Sequence, residues 1–386
     1  MKESLTEFNT KAFSYHLPVN LVFGRGRIKE IGNYVSKYGK KALIVTGANS
    51  TKRSGLLDRV TAYLSEKKIE TVLFDKVSPN PFTTTANEGA GLAVETGCDV
   101  VIGLGGGSIL DCAKAIAFLC CNTGDINDYI FGRKAGEKAL PLILVPTTCG
   151  TGSEGNGFSV LTNPENGDKK SLRSNAIIAK ASIIDSELMQ TMPKAVLASV
   201  GFDALCHSME AYVSKIAQPM TDLMCVSAMQ LIGTYLPEIY AGSESEEAWN
   251  AVTWASTIGG MVIHTAGVTL PHGMEHPVSG LKNVVHGKGL AALTPVITQA
   301  SIPAAPDKYA VISKCLGGAH ETDLVDTLQK LLDKLDLSST LSELGIKEVD
   351  IPWLSENCLK VSAAGIANHP RCFDVEEIAK LYETAL

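Results

Sequence analysis

The stretch Val100-Val-Ile-Gly-Leu-Gly105-Gly106-Gly107-Ser108-Ile-Leu-Asp111-Cys-Ala-Lys114 joins an apolar run of strand length to a segment with helical spacing. Glycines at such a turn allow positive φ and let the backbone approach a ligand closely. The N–H groups that begin the following helix, together with the Ser108 hydroxyl, suit phosphate oxygens. We therefore predict a phosphate-binding turn, although Ser108 replaces the third glycine of the GxGxxG dinucleotide fingerprint. A tight turn without a ligand is the alternative.

Strand-like and helix-like segments alternate around this turn. The predicted strands are Ala42–Thr46, Thr71–Phe74, Val100–Leu104, Leu142–Val145 and Ala181–Ile184. The predicted helices between the early strands are Arg27–Tyr38, Leu56–Lys67, Thr84–Thr96 and Ile109–Cys120. This alternation predicts a parallel sheet covered on both faces by helices. Because the pattern is helical after Ser186, we expect an α/β nucleotide-binding domain at 1–185 and an all-helical metal-binding and substrate domain at 186–386.

A second polar loop follows the predicted strand Leu142–Val145 and reads Pro146-Thr147-Thr148-Cys149-Gly150-Thr151. Open α/β sheets bind ligands at the carboxyl ends of their strands, which is where this loop lies. Taken alone, a solvated loop rich in threonine and glycine explains the pattern equally well. Together with the glycine-rich turn, it indicates the second side of one nucleotide crevice.

Histidines cluster in the second half of the chain. Asp203 and His207 are four residues apart in a helical segment, a spacing that places both side chains on one face. His272, His276 and His286 follow in two short stretches. Three imidazoles and one carboxylate suit a divalent transition metal such as iron(II) or zinc. The alternative is a hydrogen bond between Asp203 and His207, with unrelated histidines in the core.

The other titratable side chains near this cluster are expected to take no part in it. Glu275, beside His276, is predicted to be solvated or paired with a lysine. His16, His320 and His369 have no clustered partners and are predicted to be surface or capping groups.

Charge and composition exclude several classes of protein. The net charge is −7 and no basic stripe is present, which argues against a nucleic-acid or membrane partner. No apolar run approaches the ~20 residues of a membrane helix, and the N-terminus lacks the apolar core of a signal peptide. The ten cysteines form no CxxC pair, so we expect free thiols in a reducing compartment. A cytoplasmic protein is therefore expected.

The chain resembles the iron-containing (type III) alcohol dehydrogenases, a group that includes butanol and 1,3-propanediol dehydrogenases and lactaldehyde reductase. The resemblance runs over nearly the whole length and is carried by Val22-Phe-Gly-Arg-Gly26, Gly105–Lys114, Pro146–Thr151, Asp203-Ala-Leu-Cys-His207, His272-Gly-Met-Glu-His276-Pro and His286-Gly. It implies a dehydroquinate synthase-like fold, with a Rossmann-like nucleotide domain, a helical domain and the active site in the cleft between them. The implied activity is metal-dependent hydride transfer between NAD(P)(H) and a small primary alcohol or aldehyde.

The resemblance also assigns roles to individual residues. It places Asp203, His207, His272 and His286 on the metal, which is expected to be Fe²⁺ with Zn²⁺ as the alternative. It places His276 close to the nicotinamide, where we consider it the candidate proton relay. Besides Gly105 of the turn, the implied cofactor contacts are Gly106, Gly107, Ser108, Asp111, Thr147, Thr148, Thr151 and Lys169. Similar proteins are commonly dimers or larger assemblies, so a homodimer or larger homo-oligomer is expected.

The end of the second predicted strand departs from the family pattern. Many NAD-linked members have an aspartate there, whereas this chain reads Ala42-Leu-Ile-Val-Thr-Gly47-Ala-Asn49-Ser50. An acidic group at this position binds the ribose 2′-OH and repels a 2′-phosphate. Gly47 removes the repulsion, and donors are offered by Asn49, Ser50, Thr51 and Lys52. We therefore expect NADP(H) to be preferred over NAD(H).

Three other functions fit parts of the pattern. A polyol oxidoreductase similar to glycerol dehydrogenase would use the same residues. A dehydroquinate synthase-like lyase would need several basic residues for its phosphorylated and carboxylated substrate, but the region from Gly201 to Gly287 supplies only Lys215 and Lys282. A non-catalytic nucleotide- or metal-binding protein would not need the phosphate turn, the hydroxyl loop and the histidine cluster together.

Overall fold

The computed structural model describes residues 12–386, which form two compact units. One unit spans Leu17–Met192, and the other comprises Pro193–Leu386 with the described residues up to His16. The boundary expected after residue 185 lies seven residues before this division (185 against 192). As limits of independent domains, 1–185 and 186–386 remain a prediction.

The first unit is built on a parallel sheet. Its strands are β1 (Leu21–Phe23), β2 (Lys41–Gly47), β3 (Glu70–Val77), β4 (Val100–Gly105), β5 (Leu142–Pro146), β6 (Phe158–Thr162), β7 (Lys169–Arg173) and β8 (Ala181–Ile184). Six of them form one sheet in the order β1-β8-β5-β4-β2-β3, with every pairing parallel. The five predicted strands are confirmed as β2, β3, β4, β5 and β8. Two features were not predicted: β1, which has three residues, and the antiparallel β6–β7 hairpin, whose second strand is mostly polar.

Helices cover both faces of this sheet. They are α1 (Ile31–Val35), α2 (Ser50–Arg53), α3 (Leu56–Glu66), α4 (Thr83–Glu95), α5 (Gly107–Leu119), α6 (Ile126–Ile130) and α7 (Ser186–Met189). Alternate residues of β2 face opposite ways: Leu43 packs in the core with α4 and α5, and Ile44 packs in the core with α1 and α3. Strands β4 and β5 are buried throughout, as expected for a parallel sheet covered on both faces.

The predicted helix Arg27–Tyr38 is shorter in the structure. A 3₁₀ turn at Arg27–Glu30 leads into α1, which ends at Val35. The Asp185 carboxylate, directly after β8, accepts hydrogen bonds from the N–H groups of Gly26 (3.0 Å) and Ile28 (3.1 Å). This carboxylate supplies acceptors for N–H groups at the start of the turn.

The described residues of the second unit form helices joined by loops and contain no strand, as predicted. Its helices are α8 (Lys194–Val213), α9 (Pro219–Tyr240), α10 (Glu246–Ala266), α11 (Leu270–Lys282), α12 (His286–Ser301), α13 (Pro306–Cys315), α14 (Leu324–Lys334), α15 (Ile351–Ala367) and α16 (Val375–Thr384). Helix α8 is buried along most of its length, whereas α11, α12, α15 and α16 share one apolar core. Within residues 12–386, no helix combines the length and apolarity needed to cross a membrane.

Candidate metal centre and cofactor site

Helix α8 carries the first part of the histidine cluster. Asp203 and His207 lie one turn apart on the same face, as their spacing predicts, and both are buried. The Nε2 atom of His207 is 3.5 Å from Oδ1 of Asp203. Because α8 is buried within its unit, this face points into the protein interior.

Two further helices bring histidines to the same carboxylate oxygen. His272 lies in the first turn of α11, and His286 is the first residue of α12. Their Nε2 atoms are 3.3 Å and 3.7 Å from Oδ1 of Asp203. The rings of His207 and His272 are stacked with their centroids 4.5 Å apart. The structure therefore brings together all four residues that the resemblance places on the metal.

Burial and neighbouring charges shift the pKa values of three residues in this cluster. Burial alone raises the pKa of the Asp203 carboxyl, but the neighbouring imidazoles outweigh it and hold that pKa well below its usual range. Burial lowers the pKa of His207 to about 4. For His272, burial is outweighed by Glu210 and Asp203, which raise its pKa to about 10. The pKa values of His207 and His272 are therefore shifted in opposite directions, because Glu210 contacts the ring of His272 directly.

The donor set and its spacing fit a divalent transition metal. Three imidazole nitrogens and one carboxylate oxygen are ligands that iron(II) and zinc accept. Ligand atoms held about 2.1 Å from a common ion at tetrahedral angles are roughly 3.4 Å apart. The distances from Oδ1 of Asp203 to the three Nε2 atoms, 3.3 to 3.7 Å, are close to that value.

Two buried glutamates that the sequence analysis did not select lie behind these histidines. Glu210 contacts Nδ1 of His272, and Glu275 contacts Nδ1 of His286. The prediction that Glu275 is solvated or paired with a lysine is wrong, because its side chain is fully buried. Glu210 was detectable, since it follows Asp203 by seven residues on the same helix face. The partner of Glu275 lies on another helix, so sequence spacing could not show it.

His276 lies at the partly exposed side of the cluster. It is one turn from His272 on α11, and the two ring centroids are 6.1 Å apart. Its ring stacks on that of His286, with 5.9 Å between centroids. His276 is half-buried and is not among the histidines that converge on Asp203. Glu275, His276 and His286 form a second close group, and His286 connects it to the first group through its Nε2 atom, which is 3.7 Å from Oδ1 of Asp203.

The expectation for His369 also fails. It was predicted to be a surface or capping group, but its side chain is 1% exposed. Its Nε2 atom is 2.8 Å from Oγ of Ser301, and burial lowers its pKa to about 4. The turn that follows α15 folds this residue into the interior, and no periodic pattern marks such a position.

In the other unit, the glycine-rich turn and the hydroxyl loop pack against each other. Gly105 has φ +155°, a conformation that side chains rarely adopt. A Cβ atom on Gly106 would lie 3.2 Å from the side chain of Thr148, and one on Gly107 would lie 2.2 Å from that of Thr151. The absence of Cβ atoms therefore lets the loop close onto the turn, which is a further reason for glycine at these positions.

This arrangement leaves donors available at the start of α5. The N–H group of Thr147 bonds to the carbonyl oxygen of Gly105 (3.0 Å), which fixes the loop beside the turn. The N–H groups of Gly107 and Ser108 have no acceptor among the residues described. Unpaired N–H groups at the beginning of a thirteen-residue helix suit an anion such as a phosphate.

Asp111 and Lys169 lie inside the same unit. The Asp111 carboxylate accepts hydrogen bonds from Oγ of Ser153 (2.5 Å) and from the N–H of Val160 (3.0 Å), and burial raises its pKa. The ammonium of Lys169 donates to Oδ1 of Asn80 at 3.1 Å. Asp111 therefore ties α5 to β6 and to the turn before it.

The end of β2 is open to a neighbouring cavity. Gly47 is buried, whereas Asn49 and Ser50 are exposed at the start of α2. Ser50 lines a cavity of about 80 Å³ that Ser54 and Thr147 also line. The structure thus places donors from the β2 end and the hydroxyl loop around one space.

Of two cationic side chains near this cavity, one forms an ion pair with a described acidic residue and the other does not. The ammonium of Lys52, which the sequence analysis selected as a donor, is 2.5 Å from Oδ2 of Asp75. Arg59, which it did not select, lines the cavity and forms no ion pair with another described residue. A cation without an acidic partner is the better candidate for binding an anion.

The junction between α8 and α12 yields a prediction. A Cβ atom on Gly287 would lie 2.1 Å from the carbonyl oxygen of Ser199, so Gly287→Ala must push the start of α12 away from α8. This displaces His286 from Asp203. We expect the free energy of unfolding to fall by about 1–3 kcal/mol, measured by denaturant titration. Gly91→Ala is the control, since its Cβ would meet nothing within 4 Å. Equal stability of the two variants would contradict the prediction.

Comparisons with known proteins agree with this arrangement. The family model described as iron-containing alcohol dehydrogenase matches residues 18–186, and the one described as Fe-containing alcohol dehydrogenase family, C-terminal, matches residues 197–386. The NAD-dependent methanol dehydrogenase of Bacillus methanolicus is 33% identical, over 97% of this chain and 100% of that protein. The NADPH-dependent butanol dehydrogenase of Clostridium saccharobutylicum is 32% identical, over 96% and 97%.

A solved structure extends the similarity to the fold. The alcohol dehydrogenase ADH/D1, from an archaeal halo-thermophilic source in a Red Sea brine pool, superposes with a TM-score of 0.93 at 31% identity. The match covers 99% of this chain and 100% of that one. The predicted fold class, a Rossmann-like parallel sheet followed by a helical part, is thereby confirmed. The chain belongs to the iron-containing alcohol dehydrogenase family and is an oxidoreductase of that family.

Proposed function

We propose that this protein is a metal-dependent dehydrogenase that interconverts a small primary alcohol and its aldehyde with a nicotinamide cofactor. The convergence of three imidazole Nε2 atoms on Oδ1 of Asp203 carries this proposal. The two relatives described above are named methanol and butanol dehydrogenases, which supports a small primary alcohol. The family membership supplies the reaction type.

Asp203, His207, His272 and His286 would hold the metal, for which we propose iron(II), with zinc as the alternative. A bound divalent cation supplies Lewis acidity, which favours loss of the alcohol proton and polarises the carbonyl in the reverse direction. One carboxylate and three neutral imidazoles leave about one positive charge for this purpose. Three of these side chains are buried, whereas His286 is 25% exposed and lies at the open side of the cluster.

The glycine-rich turn and the hydroxyl loop would hold the cofactor. The N–H groups of Gly107 and Ser108 are placed to receive phosphate oxygens, and the hydroxyls of Thr148 and Thr151 lie beside them. Asp111 and Lys169 would act on the cofactor through the loops that they support, because both are engaged inside the unit.

For the cofactor, we propose that NADP(H) is preferred over NAD(H). No carboxylate ends β2, and Ser50 and Arg59 line the adjacent cavity. A guanidinium without an acidic partner suits the extra phosphate of NADP(H). Lys52 supports this preference less than the sequence suggested, since its charge is paired with Asp75. The two relatives named above include one NAD-dependent and one NADPH-dependent enzyme, so they favour neither cofactor.

A charge placed at Gly47 tests the cofactor preference. A Cβ atom there would lie 3.3 Å from the carbonyl oxygen of Val77, which requires only a small adjustment. Gly47→Asp is expected to lower kcat/KM for NADPH by about 10- to 100-fold relative to Gly47→Asn, because only the aspartate repels the 2′-phosphate. The asparagine variant has nearly the same shape and controls for packing. If the aspartate and asparagine variants have the same ratio of kcat/KM for NADPH to kcat/KM for NADH, Gly47 does not set the preference.

The activity itself is tested with the metal-loaded protein. The chain is loaded anaerobically with iron(II), and the oxidation of NADPH and of NADH is followed with butanal at equal cofactor concentrations. Faster turnover with NADPH is the expected result. Faster turnover with NADH would keep the enzyme class and reject the cofactor preference. If no aldehyde of a small panel causes NADPH absorbance to fall, although metal is bound, the proposed function is rejected.

The lyase alternative gains nothing from the structure. Of the two basic residues available to it, Lys282 is 3.3 Å from Oδ2 of Asp350 and Lys215 donates to the carbonyl oxygen of Ala367. The homodimer or larger homo-oligomer, the cytoplasmic location and the division at residue 185 remain predictions.

A further inference from the structure

Two of the three converging histidines have a buried carboxylate on the side away from Asp203. Glu210 lies behind His272, and Glu275 lies behind His286. Both glutamates are among the most buried charged residues of their unit, with 3% and 0% exposure. Burial of an ionised carboxylate is unfavourable unless hydrogen bonds compensate it, so each must have a specific role in the structure.

Glu210 is bound from several directions. Its Oε1 atom is 2.5 Å from Nδ1 of His272. Its Oε2 atom accepts hydrogen bonds from the N–H of Thr269 (2.6 Å), from Oγ1 of Thr269 (3.3 Å) and from the N–H of His272 (3.4 Å). Thr269 precedes α11 and does not cap it with its own side chain. One carboxylate on α8 therefore caps α11 and orients the first histidine of that helix.

Glu275 connects the next pair of helices in a similar way. It lies on α11 and contacts Nδ1 of His286, the first residue of α12, while its other oxygen accepts a hydrogen bond from Oγ of Ser279. The backbone of Gly289 packs directly on this side chain, since a Cβ atom there would lie 2.9 Å from its Cγ and Oε1 atoms. Glu275 therefore has little freedom to move away from His286.

His207 provides the contrast within the same cluster. Its Nδ1 atom is buried and has no hydrogen-bond partner among the described residues. This ring is placed by its helix spacing from Asp203 and by stacking on His272. The carboxylates are therefore found behind the two histidines that come from other helices, whose position α8 alone does not determine.

We propose that Glu210 and Glu275 are positioning residues of the metal centre, which hold the Nδ1 hydrogens of His272 and His286 so that both Nε2 atoms face Asp203. A neutral imidazole that donates through Nδ1 presents Nε2 as a metal ligand. Such carboxylate partners orient the ring and raise its basicity, and their loss commonly weakens metal binding 10- to 100-fold. This inference rests on the proposed function, since it requires that the cluster binds a metal.

The test is a titration of the metal-free chain with cobalt(II), followed by its visible absorption and by competition with a chelator. Glu210→Gln and Glu275→Gln keep the shape of each side chain but remove its charge and introduce an NH₂ donor. We expect each variant to bind cobalt(II) about 10- to 100-fold more weakly, with a changed absorption spectrum. If Glu210→Gln fails to fold because α11 loses its cap, Glu275→Gln carries the test.

Tyr382→Phe is the matched control, because its hydroxyl donates a buried hydrogen bond to the carbonyl oxygen of Met274 on α11 without touching a histidine. It is expected to lower the unfolding midpoint and to leave cobalt(II) affinity and spectrum unchanged. Glutamine variants that bind cobalt(II) like the wild type would overturn the inference, as would an equal loss of affinity in Tyr382→Phe. A wild-type chain that binds neither cobalt(II) nor iron(II) would instead reject the metal centre of the proposed function, and the inference with it.

Discussion

Asp203→Asn is expected to lower kcat/KM for aldehyde reduction by about 10³-fold or more. Lewis acidity at a metal contributes several kcal/mol, and each 1.36 kcal/mol corresponds to about a tenfold change in rate. Oδ1 of Asp203 is the atom on which the Nε2 atoms of His207, His272 and His286 converge. The amide keeps the shape but lacks the negative charge that would attract the ion. The variant is therefore expected to lose metal as well as turnover. Metal content after dialysis measures the first, and steady-state kinetics measure the second.

A second aspartate in the same unit provides the control. Asp222 is partly buried on α9, where burial raises its pKa, and it does not belong to the histidine cluster. Asp222→Asn is therefore expected to keep both the metal and the turnover of the wild type. If Asp203→Asn retained a full complement of iron and wild-type turnover, the assignment of the metal centre would be wrong.

His276→Ala is expected to lower kcat by about 10²-fold, the lower end of what a positioned proton donor or acceptor contributes. His276 is half-buried, stacks on His286 and lies one turn from His272, so it connects the buried cluster to the exposed side. Loss of its imidazole removes a route for the alcohol proton and leaves the four proposed metal ligands in place. The expected signature is a fall in kcat with an unchanged KM for the cofactor.

Steady-state kinetics across a range of pH, with and without added imidazole, measure this effect. The relay predicts that the pH–rate profile changes shape and that free imidazole restores part of the turnover. His320→Ala is the control, because His320 is an exposed histidine at the turn Glu321–Asp323 of the same unit. Unchanged turnover and an unchanged pH profile in His276→Ala would refute the relay.

Local patterns in the sequence correctly predicted most of the fold. The strands β2, β4 and β5 are apolar runs, and a strand that is buried on both faces needs such residues at every position. The hairpin of β6 and β7 was missed, because Lys169-Lys-Ser-Leu-Arg173 lacks that signature. Its pairing depends on partners up to fifteen residues away, as for Phe158 and Arg173 at the far end of the register. The predicted helix Arg27–Tyr38 was too long, since a 3₁₀ turn occupies Arg27–Glu30 and α1 ends at Val35.

Part of the candidate site could likewise be predicted from local spacing, and part depends on tertiary packing. Asp203 and His207 could be paired from their spacing, because one helix fixes the positions of residues four apart. The approach of His286 to Asp203 depends on how closely α12 packs on α8, which the contact between Gly287 and the Ser199 carbonyl sets. Glu275 illustrates the limit most clearly, since the same side chain would be solvated on another face of α11.

The sequence by itself determined the family and the four side chains with ligand chemistry. It also predicted the phosphate-binding turn. Each of these is encoded in a short run of residues whose geometry follows from one strand, one turn or one helix. Only the tertiary structure decided that the three imidazoles meet at one oxygen and that Glu210 and Glu275 lie behind two of them. It also showed that Lys52 is already paired and that Arg59 lines the cavity instead. These contacts join separate elements, and their distances depend on the packing of whole helices and strands, which no local spacing encodes.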